Sequence, residues 1–417
     1  MKFRNLGQIL LASVVSVGLC LGMTSCSTSY TVGFLYAIGV TSNNGTTGEI
    51  SGYKINNNTG QLVTTAKSPY ATGGINPLRV IIAPNGRFLY VLNSKPSGAA
   101  GGNIALFTIG GSGVLTFQTS YSSQGINPVS ILMSSSGSYF YALDQEVVDA
   151  NGNVINNGNG AITAYSVDQN TGRLSIITNQ QVINPSGGQL PYFPVGLHPT
   201  AFGPIQNSVL VGPYLYTVDS ADQSIFPYQL NPNNGQLVVT PNGPQLTGAT
   251  NITVIGGDVA YLFLLDSGTN LIMPYTRGTN GSLQTVVGGS YPNDPTVSHP
   301  SDMVVSSNGK FMYIANAGPN TNPTNAASAI SAYSIVPNGT SGLLQPIGQE
   351  PFVSGSQPEC ILEDPSNQYI YTGNFADHTV TGGKIDSNTG TLTALPRGSV
   401  YQAAVNVTYC VATRNNQ

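Results

Sequence analysis

Charge is what this sequence has least of: Asp, Glu, Lys and Arg make up 7% of its 417 residues. Thirteen Lys and Arg stand against seventeen Asp and Glu, for a formal net charge of −4. No basic patch arises, which argues against a nucleic-acid partner. Tryptophan is absent, so repeats signed by a Trp-Asp pair are excluded. The few cysteines and histidines have no zinc-site spacing. There is no Gly-x-Ser-x-Gly elbow and no phosphate loop. Asp149-Ala150-Asn151-Gly152-Asn153 echoes a calcium loop, but Val154 and Gly160 stand where glycine and glutamate are needed. That stretch reads as an Asn/Gly insert, and neither a metal nor a cofactor is expected.

What is there is material for short strands and tight turns. The chain has 50 Gly and 22 Tyr, and 40% of it is hydrophobic, which is enough for a folded core. The N-terminus reads as a targeting signal. Lys2 and Arg4 precede the apolar run Leu6 to Leu21, and Met23-Thr24-Ser25-Cys26 follows. This resembles a bacterial lipoprotein signal over residues 1–26, with Cys26 as the lipidated residue and residues 27–33 as a short tether. Met23 stands where leucine is usual, and a plain secretory signal is the alternative. The expected location is therefore the cell envelope, lipid-anchored, or else secreted. No later segment is long and apolar enough to span a membrane, so any membrane contact is through the lipid. Cys360 and Cys410 could pair in an oxidising compartment; spacing alone leaves that open.

From residue 34 to 417 the chain is repetitive. An aromatic-x-aromatic-x-x-polar pattern returns as Phe88-Leu89-Tyr90 to Asn93, Tyr139-Phe140-Tyr141 to Asp144 and Tyr214-Leu215-Tyr216 to Asp219. It returns again as Tyr261-Leu262-Phe263 to Asp266, Phe311-Met312-Tyr313 to Asn316 and Tyr369-Ile370-Tyr371 to Asn374. An earlier copy is Phe34-Leu35-Tyr36, with Gly39 at the polar place. Aromatics two apart share one face of a strand. A second strand follows each copy, then a turn and Gly-x-Leu, as in Gly60-Gln61-Leu62 and Gly172-Arg173-Leu174. A further strand precedes most copies after a proline: Pro77, Pro128, Pro199, Pro300 and Pro358. The unit is four strands, A to D, and repeated units of this kind predict an all-β seven-bladed β-propeller. The first copy lacks strand A and Ala404 to Ala412 is an orphan strand, so the C-terminal strand is expected to close the ring. Pro227 and Pro274 fall inside strand C of blades 4 and 5, which predicts irregular blades there.

The run from Pro77 to Asn93 resembles repeats of the lactonase family of seven-bladed propellers, the bacterial 6-phosphogluconolactonases among them. The resemblance extends from Phe34 to Ala412. It implies lactone hydrolysis at one mouth of the channel, and a small lactone or carbohydrate-like ligand. The family's Pro-Arg-His and Asn-Glu pairs are absent: Pro77-Leu78-Arg79 and Asn93-Ser94 stand nearest. So few cations suit a phosphorylated sugar poorly. The alternative is a non-catalytic surface propeller that binds a protein or glycan through long loops.

Counting two residues past each proline predicts a channel ring of Arg79, Ser130, Ala201, Asn251, Asp302, Cys360 and Asn406. The residues before the prolines give a second ring: Asn76, Asn127, His198, Gly248, His299 and Gln357. The polar ends of strand B are expected to point to the same mouth. Ester hydrolysis needs an activated water and an anion partner. His198 or His299 is the expected base and Arg79 the anion partner, with Asp302 and Glu359 close by.

Overall fold

The computed structural model describes residues 29–41, 46–94, 102–147, 159–181, 187–195, 205–240, 243–278, 280–318, 328–337, 342–348 and 351–415. The proposed signal, with Cys26, lies outside them. So does His198.

The described chain forms seven antiparallel blades, each with strand A innermost. The C-terminal strand Asn406–Arg414 pairs with the N-terminal strand Thr31–Val40, with Tyr36 opposite Val411. It therefore supplies strand A of blade 1, and both ends of the chain share that blade. Cys360 of blade 7 and Cys410 of blade 1 form a disulfide with Cα atoms 5.9 Å apart.

The sequence repeats are explained by one contact between blades. In six blades the second aromatic is a tyrosine whose hydroxyl donates to the turn glycine of the next blade. Tyr36 reaches Gly113, Tyr90 Gly172, Tyr141 Gly235, Tyr216 Gly281, Tyr313 Gly390 and Tyr371 Gly60. The first aromatic covers the same glycine. A Cβ on Gly60, whose φ is +66°, would stand 2.5 Å from the Tyr369 ring. Only glycine takes that backbone and leaves that room. Phe263 breaks the pattern in blade 5. There Tyr291, from the outer edge of the same blade, accepts from Leu343 N–H at 2.6 Å and fills the slot against Gly342.

The two strand-C prolines do not distort their blades. Pro227 lies opposite Tyr216, and Pro274 opposite Phe263, within unbroken B–C pairing. Their carbonyls accept from Thr240 and Val286 on the outer side. In a strand the N–H and C=O of one residue point the same way, so the missing donor faces strand D, not strand B. Strand D is interrupted there: Leu237–Val239 is followed by Gln245–Leu246. No B–C ladder bond is lost.

Every strand A shifts register by one residue near its start, at Pro77/Arg79, Pro128/Ser130, Ile205/Ser208, Ile252/Val254, Pro300/Asp302, Pro358/Cys360 and opposite Ile38/Gly39. Such bulges re-aim side chains. Where the bulged residue carries a hydroxyl it donates to the next blade: Thr253 to Pro300, Ser301 to Pro358 and Thr408 to Pro77. Glu359 takes this position in blade 7 and has no hydroxyl to donate.

Strands B end and strands C begin at one end of the ring, where strands A also begin. The opposite end carries the A–B and C–D turns, and with them Arg87, Arg173, Arg277, Lys310, Lys384 and Arg414.

Candidate functional site

At the loop-rich mouth, Asn76, Asn127, His299 and Gln357 hold left-handed backbones, with φ of 45°, 54°, 55° and 53°. This conformation turns the carbonyl aside: His299 accepts from Ala317 N–H and Gln357 from Phe375 N–H. His299 is exposed at the rim, its Nδ1 3.3 Å from Ser298 Oγ.

Deeper in, the strands A of blades 6, 7, 1 and 2 form one arc that carries Asp302, Glu359, Tyr409 and Arg79. The Arg79 guanidinium carbon lies 4.7 Å from the Tyr409 ring centroid. Asp302 accepts from its neighbour Met303 N–H at 2.9 Å and from Ile361 N–H of blade 7 at 3.0 Å. Burial pushes the Asp302 carboxyl up to about 6, opposed by the Ile361 hydrogen bond and by the Arg79 charge. Burial also pushes Glu359 up to about 6, with Arg79 opposing and Asp302 adding to the rise. Both side chains keep part of their surface accessible. Protein therefore encloses them on most sides, and the channel keeps water within reach. The Tyr409 phenol is pushed up to about 12, first by burial and then by Asp302.

Arg79 also lines a cavity of about 500 Å³ that crosses the channel. Leu78 and Val129 give it apolar wall, while Asn127, Gln145 and Thr253 supply polar groups. Arg79 is thus common to the cavity and the acid pair. A second cavity, of about 410 Å³, lies on the outer edge of blades 6 and 7. Its lining, with Phe352, Val353, Leu392 and Val400, holds no titratable side chain.

Proline counting places Arg79 and Asp302 correctly and brings Glu359 with them. It fails where the proline is absent. In blade 5, Ile252 pairs with Asp266 as Pro300 pairs with Asn316, so the channel position is Val254 and Asn251 sits exposed at the rim. In blade 1 the register puts Tyr409, not Asn406, in the ring, and Asn406 instead contacts His378 Nε2 at 3.0 Å. In blade 4, strand A begins at Ile205, so Ala201 precedes it and lies outside the described residues. Cys360 is fully buried in its disulfide and Ser130 is buried as well, so neither offers a reactive group to the channel. Tyr409 is the site residue that counting missed; aligning Val407 with the prolines would have found it.

The polar ends of strand B do not face the mouth. Asn93, Asp144, Asp219, Asn316 and Asn374 are all 0% exposed. They satisfy loop and strand backbone: Asn93 donates to Thr72 O, and Asn316 to Ala329 O. Buried polar groups of this kind hold the D–A loop down.

Residues 46–187 and 257–411 match a family model described as Lactonase, 7-bladed beta-propeller. A 6-phosphogluconolactonase of Formosa agariphila is 31% identical over 119 residues, 28% of this chain. The match spans 31% of that relative's length. Among solved structures, a putative 6-phosphogluconolactonase of Bacteroides fragilis superposes with a TM-score of 0.66 at 15% identity, over 92% of this chain and 98% of that one. A periplasmic gluconolactonase of Pseudomonas aeruginosa superposes with a TM-score of 0.67 at 16% identity, over 91% and 99%. At such identities these two show the fold.

Proposed function

Because the chain belongs to the lactonase family of seven-bladed β-propellers, we propose that it hydrolyses a lactone at the loop-rich mouth of its channel. The observation that carries this reading is Arg79, shared between the cavity and two carboxyls raised to about 6. A carboxylate with that affinity is ionised at neutral pH and is a better base than an ordinary one.

In the proposed step the lactone carbonyl oxygen turns to Arg79. Glu359 takes a proton from water while the water oxygen bonds to the carbonyl carbon. The oxyanion gains the guanidinium as partner, where enclosure strengthens the interaction. The ring C–O bond then breaks. The leaving oxygen takes the proton back from Glu359, giving a hydroxy acid. Asp302, fixed by two backbone N–H groups, raises the basicity of Glu359 by its charge. Tyr409 positions Arg79. His299, at the rim, is not needed as the base.

A cell-envelope location belongs to the same reading. Its support is the positive start, the apolar run and Cys26. Mass spectrometry of the membrane fraction should find a lipidated Cys26; an unmodified N-terminus there would remove the anchor.

The direct test of the activity is acid release from a panel of lactones, followed at constant pH. Wild type should turn over at least one, and Arg79→Ala should not. An inert wild type, or full activity in Arg79→Ala, would sink the reading.

A further inference from the structure

The described cations and carboxyls are shared unevenly between the two ends of the ring, the turn end carrying both signs. At the loop-rich mouth the described residues carry Glu49, Glu146, Asp222, Asp294 and Asp377 on strand ends and loops, and Asp302 and Glu359 in the channel. Against these seven carboxyls the same end has one Lys or Arg among the described residues, Arg79. The other described cations sit at the turn end or on the outer edge, where Lys67 and Arg397 lie. Arg79 is itself engaged, over Tyr409 and beside Asp302 and Glu359. An acid also stands close to the cavity: Glu146 Oε2 accepts from Asn127 Nδ2 at 3.1 Å, and Asn127 lines the cavity.

From this division we infer that the mouth is an electrostatic filter that admits uncharged hydroxylated lactones and turns away phosphorylated ones. The inference rests on the lactonase reading and narrows its substrate class. Phosphate recognition calls for several cations or a cluster of backbone donors. Here one guanidinium serves the acyl oxygen, and among the described residues no second cation lines the cavity. The wall suits a neutral sugar ring, with Leu78 and Val129 against its carbons and Asn127, Gln145 and Thr253 toward its hydroxyls. A like-charged mouth lowers the local concentration of an anion, and a focused field changes association by ~10-fold or more at low salt. Hydrolysis also converts a neutral ring into a carboxylate, so the field that admits the substrate expels the product.

Two measurements on the full chain separate this inference from the activity itself. The first needs no turnover. A thiol is placed at the cavity wall by Gln145→Cys and labelled with cationic trimethylammonioethyl or anionic sulfonatoethyl methanethiosulfonate. Labelling is read at that peptide by mass spectrometry. The cation-to-anion rate ratio, relative to free cysteine, should be ~10 or more at low salt and fall toward one in about 0.5 M salt. Glu146→Gln, which keeps the acceptor for Asn127, should narrow it. A ratio at or below one overturns the filter whether or not the protein is active.

The second compares kcat/KM for glucono-δ-lactone and its 6-phosphate ester. The neutral lactone should be favoured by ~10-fold or more, and only the ester should speed up with salt. A preference for the ester would also overturn the filter. Turnover of neither lactone, with the labelling ratio intact, would count against hydrolysis of this sugar class and leave the charge division standing.

Discussion

Arg79 lies over the ring of Tyr409, with its guanidinium carbon 4.7 Å from the ring centroid. One residue belongs to blade 2 and the other to the last strand of the chain. Tyr409 reaches Arg79 only because that strand closes blade 1. Ring closure and assembly of the site are therefore one event. The contact is worth ~0.5–2 kcal/mol in positioning the cation. Tyr409→Phe keeps a ring under Arg79 and should keep most of the turnover. Tyr409→Leu should lower kcat/KM by roughly tenfold through a misplaced Arg79. Steady-state kinetics of the pair, with melting temperatures as a control, checks this.

Asp302 and Glu359 set the pH dependence. Both are pushed up to about 6, so kcat/KM should fall as pH drops through that value and the pair takes up protons. The apparent value belongs to the pair rather than to either residue. Asp302 adds to the rise of Glu359, so Asp302→Asn should move the acid limb to lower pH. A limb that stays in place would show that Asp302 does not act through Glu359.

Asp144 should make stability fall with rising pH. It is 0% exposed, and its Oδ2 has no hydrogen-bond partner. Burial pushes its carboxyl up to about 8, with the Ser123 and Gly125 hydrogen bonds opposing. An unfolded aspartate titrates near ~3.9. The folded state thus prefers the protonated form. That contribution is complete below about pH 4, is lost as pH rises through 8, and is constant above. Asparagine occupies this place in blades 2, 6 and 7. Asp144→Asn should remove the slope and stabilise the protein at high pH by ~1–3 kcal/mol, with little change at low pH. Denaturant titrations at both ends of the range would show it.

The tyrosine–glycine contact should contribute to the cohesion of the ring. Tyr371→Phe strips the hydroxyl from a buried bond to Gly60 and should cost ~1–2 kcal/mol. Tyr291→Phe should cost about as much, because Leu343 N–H then loses its acceptor. Phe263→Tyr should not stabilise, since Tyr291 already fills that slot. Thermal unfolding of the three variants is the measurement.

Cys360 and Cys410 join blade 7 to the closing strand across a separation of 50 residues. Replacing both with alanine should cost ~2–4 kcal/mol, mainly by freeing the unfolded chain. Glu359 and Tyr409 each sit next to one of these cysteines. The double variant should therefore also raise KM, and denaturant titration alongside kinetics would separate the two effects.

The fold was legible because its contacts recur. Outside blade 5, each aromatic-x-aromatic motif and the Gly-x-Leu turn of the next blade are halves of one joint, and both halves are written in the sequence. The closing strand was legible as the unit with no partner. The site was legible where proline marks strand A, at Arg79 and Asp302. It was hidden in blades 1 and 5, where Val407 and Ile252 take the proline's place and leave no mark to count from. The buried ends of strand B were misread because a polar residue at a strand end reads as exposed. Asn93 and Asn374 are instead consumed by the loops that fold over them. Glu359 could be named from the sequence, but its raised affinity could not, since that comes from enclosure and from Asp302.

The most direct test of lactone hydrolysis at this mouth is kcat/KM of wild type and Glu359→Gln on glucono-δ-lactone from about pH 4.5 to 8, corrected for spontaneous opening. Wild type should show an acid limb near 6. Glu359→Gln should fall by ~100-fold or more and lose that limb, with a melting temperature no lower than that of wild type. A folded Glu359→Gln with wild-type turnover and the same limb would contradict the account.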